Sequence, residues 1–175
     1  MLYATLAQAS PRYGKPLIAS VRRKNRMNIR KFVENDYPRI FEIYAHSKLD
    51  ELRFEKRKFN LLPLEDDEKR LIEFKESDIY VYEDEQVIGY AALCGTEIRA
   101  LFVHPDARGR GIGKSLLEFL LSNIEGIAFL YVAKTNVPAK NLYVSYGFKV
   151  VDEFRTTYND ISVFANKMQR DKINS

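Results

Sequence analysis

The segment RGRGIGKSLL (Arg108–Leu117) places glycine at every second position among basic residues and then continues into a pair of leucines. This pattern predicts a loop that opens a helix. The first turn of a helix has unpaired backbone N–H groups, its dipole favours negative charge, and glycine removes side chains that would block approach. The segment therefore predicts an anion site, for which phosphate is the natural ligand.

Two common phosphate-binding motifs do not fit the spacing of these glycines. A P-loop ending in Gly113-Lys114-Ser115 would need glycine at position 108, where the chain has arginine. The dinucleotide pattern G-x-G-x-x-G would need glycine at Lys114 or Leu116. What remains is R-x-x-G-x-G preceded by LFVHPDA, which alone is also compatible with a plain glycine-rich turn between strand and helix.

The composition indicates one globular domain. The 175 residues are 46% hydrophobic and 30% charged, which suits a single sizeable core. Cys94 is the one cysteine, so an internal disulfide is excluded and a reducing compartment is favoured. No apolar stretch approaches the roughly 20 residues that span a bilayer. We therefore expect a cytoplasmic protein with no membrane partner.

Basic residues are distributed unevenly along the chain. The net charge is +4, but residues 1–26 hold six of the 28 basic residues and no acidic one. The remainder has 22 basic and 24 acidic residues, which does not favour nucleic-acid binding by the domain. Residues 1–26 resemble an organellar transit peptide or an upstream extension before a second start at Met27. We treat them as a basic extension that precedes a domain at 27–175.

Hydrophobic periodicity predicts strands and helices from residue 28 onward. The predicted strands are NIRKFV (28–33), IYVYE (79–83), VIGYAALCG (87–95), EIRALFVHP (97–105), IAFLYVA (127–133), FKVVDEFR (148–155) and DISVFANKM (160–168). The predicted helices are NDYPRIFEIYAHSK (35–48), LEDDEKRLIEFKES (64–77), GKSLLEFLLSN (113–123) and PAKNLYVSY (138–146). The strand–loop–helix–strand order around the glycine loop predicts that strand 127–133 lies parallel to strand 97–105.

Two segments resemble the signature motifs of one enzyme superfamily. ALFVHPDARGRGIGKSLL (100–117) is similar to the coenzyme A motif of the GNAT superfamily of N-acetyltransferases, and NVPAKNLYVSYGF (136–148) is similar to its second motif. Both motifs occur in order with a strand between them, and the resemblance extends from about Met27 to Met168. It implies an α/β fold of the α+β type, with a mixed, mostly antiparallel sheet, one parallel pair around the cofactor site and helices on both faces.

The resemblance implies acetyl-CoA as co-substrate and no metal. Coenzyme A carries a pyrophosphate, which suits the predicted anion site, and its peptide-like pantetheine arm could bind to a free strand edge at LFV. Asn136 would contact that arm, although an Asn before Val-Pro is also typical of a turn or cap. The cofactor-binding residues implied are Leu101, Phe102, Val103, Arg108, Gly109, Arg110, Gly111, Ile112, Gly113, Lys114 and Asn136.

Acetyl transfer to an amine needs a base, a stabilised oxyanion and an acid for the leaving thiolate. By resemblance, Tyr143 would protonate the thiolate and the Val103 N–H would stabilise the oxyanion. Glu97 is the candidate base, because it precedes Arg108 by the offset found in the histone-modifying branch of the family. The alternatives are a core aromatic for Tyr143 and a solvated edge-strand carboxylate for Glu97. His46 and His104 are expected to have no catalytic role.

These inferences predict an N-acetyltransferase that moves an acetyl group from acetyl-CoA to a primary amine by direct attack in a ternary complex. The alternative is a catalytically inactive acyl-CoA-binding or protein-interaction module of the same fold. The acceptor would be a small-molecule or peptide amine. By resemblance, its site would be lined by residues 48–64 and by the last strands, and the mixed charges of KLDELRFEKRKFNLL (48–62) do not indicate a particular substrate. The sequence is also compatible with a homodimer.

Overall fold

The structure is a computed structural model that describes residues 28–171, so the predictions for residues 1–26 lie outside the described residues. Its elements alternate along the chain largely as the periodicity predicts. The strands are β1 (Ile29–Lys31), β2 (Asp78–Asp84), β3 (Gln86–Cys94), β4 (Glu97–Val103), β5 (Ala128–Ala133), β6 (Lys149–Tyr158) and β7 (Ile161–Arg170), and the helices are α1 (Tyr37–Ser47), α2 (Glu68–Lys75), α3 (Ile112–Ser122) and α4 (Val137–Ser145).

All seven described strands form one sheet in the order β1-β2-β3-β4-β5-β7-β6. The pairs are antiparallel except β4 and β5, which are parallel and joined through α3. A parallel pair needs a crossover connection, and the glycine loop with its helix supplies it. The predicted α/β fold with a mostly antiparallel sheet and one parallel pair is therefore confirmed.

Helices cover both faces of the sheet. On one face, Ile40 and Ile43 of α1 and Phe74 of α2 pack against β2 and β3. On the other, the leucines of α3 and Tyr143 of α4 pack against β3, β4 and β5. Leu116, Leu117 and Leu120 are fully buried, as their helical spacing predicts. Within residues 28–171, no helix has the length and apolar character needed to cross a bilayer.

Two predicted elements are shorter than their sequence patterns. β1 ends at Lys31 because the Val33 N–H donates to the Asp36 carboxylate (2.9 Å), which turns the chain into α1. α2 begins only at Glu68, after Asp67 caps it by accepting the Arg70 N–H at 3.1 Å. Local side-chain hydrogen bonds thus set both boundaries, and periodicity alone does not report them.

Candidate active site

β4 and β5 separate soon after they begin. Within the described residues, only Glu97 and Ile98 of β4 pair with β5. The next residue, Arg99, is an extra residue in β4 relative to β3, and such a bulge bends the strand that carries it. The edge of β4 from 100 to 103 therefore faces a gap instead of a neighbouring strand.

The backbone groups on this edge point into the gap in alternation. The His104 N–H donates to the Ile88 carbonyl of β3 at 2.9 Å. Because successive residues of a strand direct their N–H and C=O groups to opposite sides, Leu101 and Val103 direct theirs towards the gap. The Val103 carbonyl accepts from Ser47 Oγ and Arg108 Nε, both at 3.2 Å, which leaves its N–H as the donor aimed into the gap.

The glycine loop closes one end of this gap. Gly109 and Gly111 have φ angles of 75° and 83°, a left-handed conformation that side chains rarely adopt. α3 then begins at Ile112, and its first turn closes with the Ser115 N–H donating to the Gly111 carbonyl at 3.0 Å. The N–H groups of residues 112–114 precede that bond, so they are available to an anion.

Acidic partners hold two of the predicted phosphate-binding cations. Arg108 pairs with Asp50, which also lines the gap. Arg110 pairs with Asp84 on β2 at 2.5 Å and lies outside the lining of the gap. The side chain of Arg108 is 39% exposed and that of Arg110 is 52% exposed. Exposed ion pairs of this kind stabilise a protein by about 1 kcal/mol or less. A polyphosphate could therefore displace Asp50 from Arg108 at small cost.

Tyr143 lies deep along the gap, on the inner face of α4. Asn136 caps this helix by accepting the Ala139 N–H at 3.3 Å, so the cap role considered for Asn136 is present, and Asn136 also lines the gap. Tyr143 packs edge-on against Phe148 with ring centroids 5.8 Å apart. Burial and then the charge of Glu51 raise the pKa of Tyr143 above that of an ordinary phenol. Its hydroxyl therefore keeps its proton at neutral pH.

Together these elements enclose a cleft of about 630 Å³ between β4, α3 and α4. Most residues predicted to bind the cofactor line it, and Tyr143 lines it with them. Those predicted residues are Leu101, Phe102, Val103, Arg108, Gly109, Gly111, Ile112, Gly113, Lys114 and Asn136. The glycine loop and the candidate acid, which are 30 residues apart in sequence, thus face one space.

Glu97 has a different position. It lies where β4 and β5 are still paired, and it is not among the described residues that line the cleft. Its carboxylate accepts from Arg99 Nε at 3.2 Å, and the same guanidinium binds Glu76. The structure therefore brings Tyr143, but not Glu97, to the cleft wall.

A second, smaller cavity of about 70 Å³ lies on the α1 and α2 side of β4. It shares Glu51, Arg99, Ala100 and Phe102 with the cleft, so the two spaces meet across β4. Tyr44 contributes a buried hydroxyl group without a hydrogen-bond partner among the described residues. Such a group is costly to bury unpaired, so a polar ligand or water there would be favoured.

Lys48 anchors the wall between the two spaces. Its side chain is buried, and its ammonium group binds Glu51 and lies 5.5–6.0 Å from the ring centroids of Tyr44, Phe102 and Tyr158. Burial lowers the pKa of Lys48, while the charge of Glu51 opposes that shift. Glu51 is thus held in place at the point where the two cavities meet.

Comparison with known proteins identifies this arrangement. The family model described as an acetyltransferase (GNAT) domain matches residues 75–150, which run from the last residue of α2 into β6. That range contains both sequence motifs and the diverging strands. Over these residues the chain matches the GNAT superfamily. Its glycine loop and the free edge of β4 both lie within the matched residues.

Individual relatives agree with this family. Peptidyl-lysine N-acetyltransferase YjaB of Salmonella typhimurium is 38% identical over 72 residues, which are 41% of this chain and 49% of that protein. Peptidyl-lysine N-acetyltransferase YiaC of Escherichia coli is 37% identical over 71 residues, 40% of this chain and 48% of that protein. By this measure the chain spans about half the length of the curated relatives it matches.

The fold likeness extends further than the sequence likeness. A phosphinothricin acetyltransferase of Sinorhizobium meliloti, solved in complex with acetyl-CoA, has a TM-score of 0.63 at 22% identity, covering 82% of this chain and 86% of that chain. The chain thus shares its fold with a structure that was solved with acetyl-CoA bound.

The sequence patterns do not predict the charged residues that border the two cavities. Lys48 and Glu51 lie in a 3₁₀ segment, Arg70 in α2 and Arg99 in the β4 bulge, and each borders one or both cavities. The one available signal was the i,i+3 spacing of Lys48 and Glu51, which is common on solvated helices. Only the packing of α1 and α2 on the sheet brings these groups together.

Proposed function

We propose that the protein transfers an acetyl group from acetyl-CoA to a primary amine. One observation carries the proposal: a single cleft extends along the unpaired edge of β4 from the glycine loop to Tyr143. The first turn of α3 offers N–H groups to a pyrophosphate. The free edge of β4 offers N–H and C=O groups to a pantetheine arm, and Tyr143 offers a protonated phenol.

The chemistry follows from these groups. When acetyl-CoA is bound, the neutral amine nitrogen attacks the thioester carbonyl carbon, the C–S bond breaks, and the carbonyl oxygen carries negative charge in between. The Val103 N–H, which points into the gap, would donate to that oxygen. Tyr143 gives its proton to the leaving thiolate, while the proton lost by the amine goes to a base. The transfer is direct, in a ternary complex.

Two carboxylates are candidates for that base. Glu97 is the candidate from the sequence, and Glu51 is the candidate from the geometry, because it borders both cavities and its charge acts on Tyr143. Glu73 also lines the second cavity, but of these two carboxylates only Glu51 borders the cleft as well. We therefore favour Glu51 and keep Glu97 as the competing assignment.

For the acceptor, we propose a lysine-like side chain. The second cavity, of about 70 Å³, is lined by aromatic rings and by the carboxylates of Glu51 and Glu73, which can take an alkyl chain and its amine, and also by Lys48, Arg70 and Arg99. The relatives named peptidyl-lysine N-acetyltransferases support the same class.

The test uses the purified full chain with acetyl-CoA and a lysine-containing peptide, and follows thiol release together with calorimetric binding of acetyl-CoA. Amine-dependent thiol release supports the proposal. Binding of acetyl-CoA without thiol release, across peptides, polyamines and amino acids, would favour the catalytically inactive acyl-CoA-binding module. Absence of binding would contradict both functions.

A further inference from the structure

The only two histidines of the chain meet at one place, although they are 58 residues apart. Glu42 and His46 are separated by four residues and project from the same face of α1. His104 directly follows β4, and its ring centroid lies 5.3 Å from that of His46. One ligand atom from each of the three residues lies within 4.8 Å of the other two. The proposed acetyl transfer uses none of these side chains.

Hydrogen bonding sets the protonation of the His46 ring. Its Nδ1 lies 2.9 Å from the backbone carbonyl oxygen of Glu42, and a carbonyl oxygen can only accept. Nδ1 therefore carries the hydrogen in the neutral ring, and Nε2 carries the lone pair. Rings held in this way by a backbone carbonyl are typical of histidines that bind a metal through the other nitrogen. His46 is exposed, so an ion can reach it from solvent.

His104 has a carboxylate on each side of its ring. Nε2 lies 3.8 Å from Glu42 Oε1, and Nδ1 lies 3.8 Å from Asp106 Oδ2. Without an ion, Nδ1 accepts the Asp106 N–H at 3.3 Å, which places the hydrogen on Nε2. An ion bound to Nε2 would require the hydrogen to be on Nδ1. The nearby Asp106 carboxylate could then accept a hydrogen bond from Nδ1. Carboxylate–histidine–metal arrangements of this kind orient the ring and strengthen its binding.

We propose that Glu42, His46 and His104 form a binding site for a divalent transition-metal ion of the zinc class. Two imidazoles and one carboxylate are a ligand set that zinc prefers, and they leave a fourth position for water. Bonds of about 2.0–2.2 Å require the three side chains to close in by modest rotations. Arg39 binds the second carboxylate oxygen of Glu42, so Oε1 is the oxygen that faces the ion.

The position of the site implies that a bound ion would stabilise the local structure. It would join α1 to the residue that follows Val103, next to the Ser47–Val103 hydrogen bond of 3.2 Å. The ion would thus stabilise the end of β4 at the point where the chain turns into the glycine loop. This effect does not depend on whether the protein transfers acetyl groups.

The experiment titrates Zn²⁺ into chelator-treated full-length protein by calorimetry and follows the midpoint of thermal unfolding. We expect one saturable site and a higher midpoint with Zn²⁺, since a ligand that binds only the folded state stabilises it. His46→Ala and His104→Ala should each weaken binding at least tenfold. Asp106→Asn, which retains all three ligands, should weaken it roughly 10- to 100-fold through the ring of His104.

Glu34→Gln is the matched control, because Glu34 is exposed and lies outside the cluster. It should leave Zn²⁺ affinity unchanged. Each variant is compared with the wild type by circular dichroism without metal, and His46→Ala is the decisive one because its side chain is exposed. Absence of saturable binding, or equal binding by the wild type and the folded His46→Ala protein, would overturn the proposal.

Discussion

Tyr143 and Tyr146 lie three residues apart at the end of α4, and their hydroxyl groups have different surroundings. Tyr143 is buried and lines the cleft, whereas the Tyr146 hydroxyl donates to Glu118 at 2.6 Å on the protein surface. The two residues therefore form a matched pair for testing which phenol takes part in the reaction.

The Tyr143→Phe variant keeps the ring and removes the proton donor. We expect turnover to fall by roughly 10²-fold or more with little change in acetyl-CoA affinity. Tyr146→Phe should leave both quantities near wild type. Because the pKa of Tyr143 is raised, wild-type turnover should not fall between pH 8 and about 10 through loss of this proton. Normal turnover in Tyr143→Phe would return this residue to a packing role.

Glu51 and Glu97 are distinguished by parallel replacement with glutamine. The variant that has lost the base should lose activity most severely at neutral pH and recover as the pH approaches the pKa of the amine, about 10. We expect this profile for Glu51→Gln and a small, pH-independent change for Glu97→Gln. The reverse result would assign the base to Glu97. A pH-independent loss in Glu51→Gln would indicate substrate positioning through Lys48.

At the scale of elements, the glycine loop offers two positions with different local conditions. Gly111 has a φ of 83°, so any side chain there strains the backbone. Gly113 has no such constraint, and a Cβ there would meet only Val103 Cγ2 at an ordinary 3.8 Å. A carboxylate at residue 113 would thus repel a pyrophosphate without distorting the loop.

For this reason Gly113→Glu is the cleaner test of the cofactor site. We expect it to abolish calorimetric binding of acetyl-CoA while the thermal midpoint stays near wild type. Gly113→Ala serves as the control and should retain most of the affinity, because a methyl group adds no charge. Unchanged affinity in a folded Gly113→Glu protein would contradict the assignment of the loop.

The elements also show what the sequence could predict. Glycine spacing and the motif at 136–148 predicted most of the residues that line the cleft, because those residues are nearly contiguous in sequence. The bulge at Arg99 gave no sequence signal, since it exists only relative to the pairing of β3 with β4. The residues of the second cavity gave no sequence signal for a similar reason. Glu51, Arg70 and Arg99 come from separate elements and meet only through tertiary packing.

At the scale of the whole molecule, a network of ion pairs connects β1 to the start of α1 and to β2. Arg30 on β1 binds Asp36, which is nearly buried ahead of α1, and Glu83 on β2. The hydrogen bond from Arg30 lowers the pKa of Asp36 below its usual value. A depressed carboxyl pKa contributes stability above the unfolded pKa, and this contribution is lost as the pH falls through the folded pKa.

We therefore expect Asp36→Asn to destabilise the protein by about 1–3 kcal/mol at neutral pH, with the difference from wild type shrinking below about pH 4. Urea unfolding at a series of pH values measures it. Asp78→Asn is the control, because Asp78 forms an exposed pair with Lys31 at 3.4 Å. It should change stability by less than about 1 kcal/mol. Equal, pH-independent effects of both substitutions would show that the Arg30 network adds nothing specific.

The two residue pairs between β4 and β5 also make this boundary a mechanical weak point of the sheet. Strands β1–β4 on one side and β5, β7 and β6 on the other are joined there by few backbone hydrogen bonds, and the core beneath α3 supplies the rest of the contact between the two halves. A pantetheine arm bound along β4 would fill the gap between the two halves and hydrogen-bond to the free edge of β4. Loading of the co-substrate would then set the spacing that an amine encounters, which favours an ordered sequence in which acetyl-CoA binds before the acceptor.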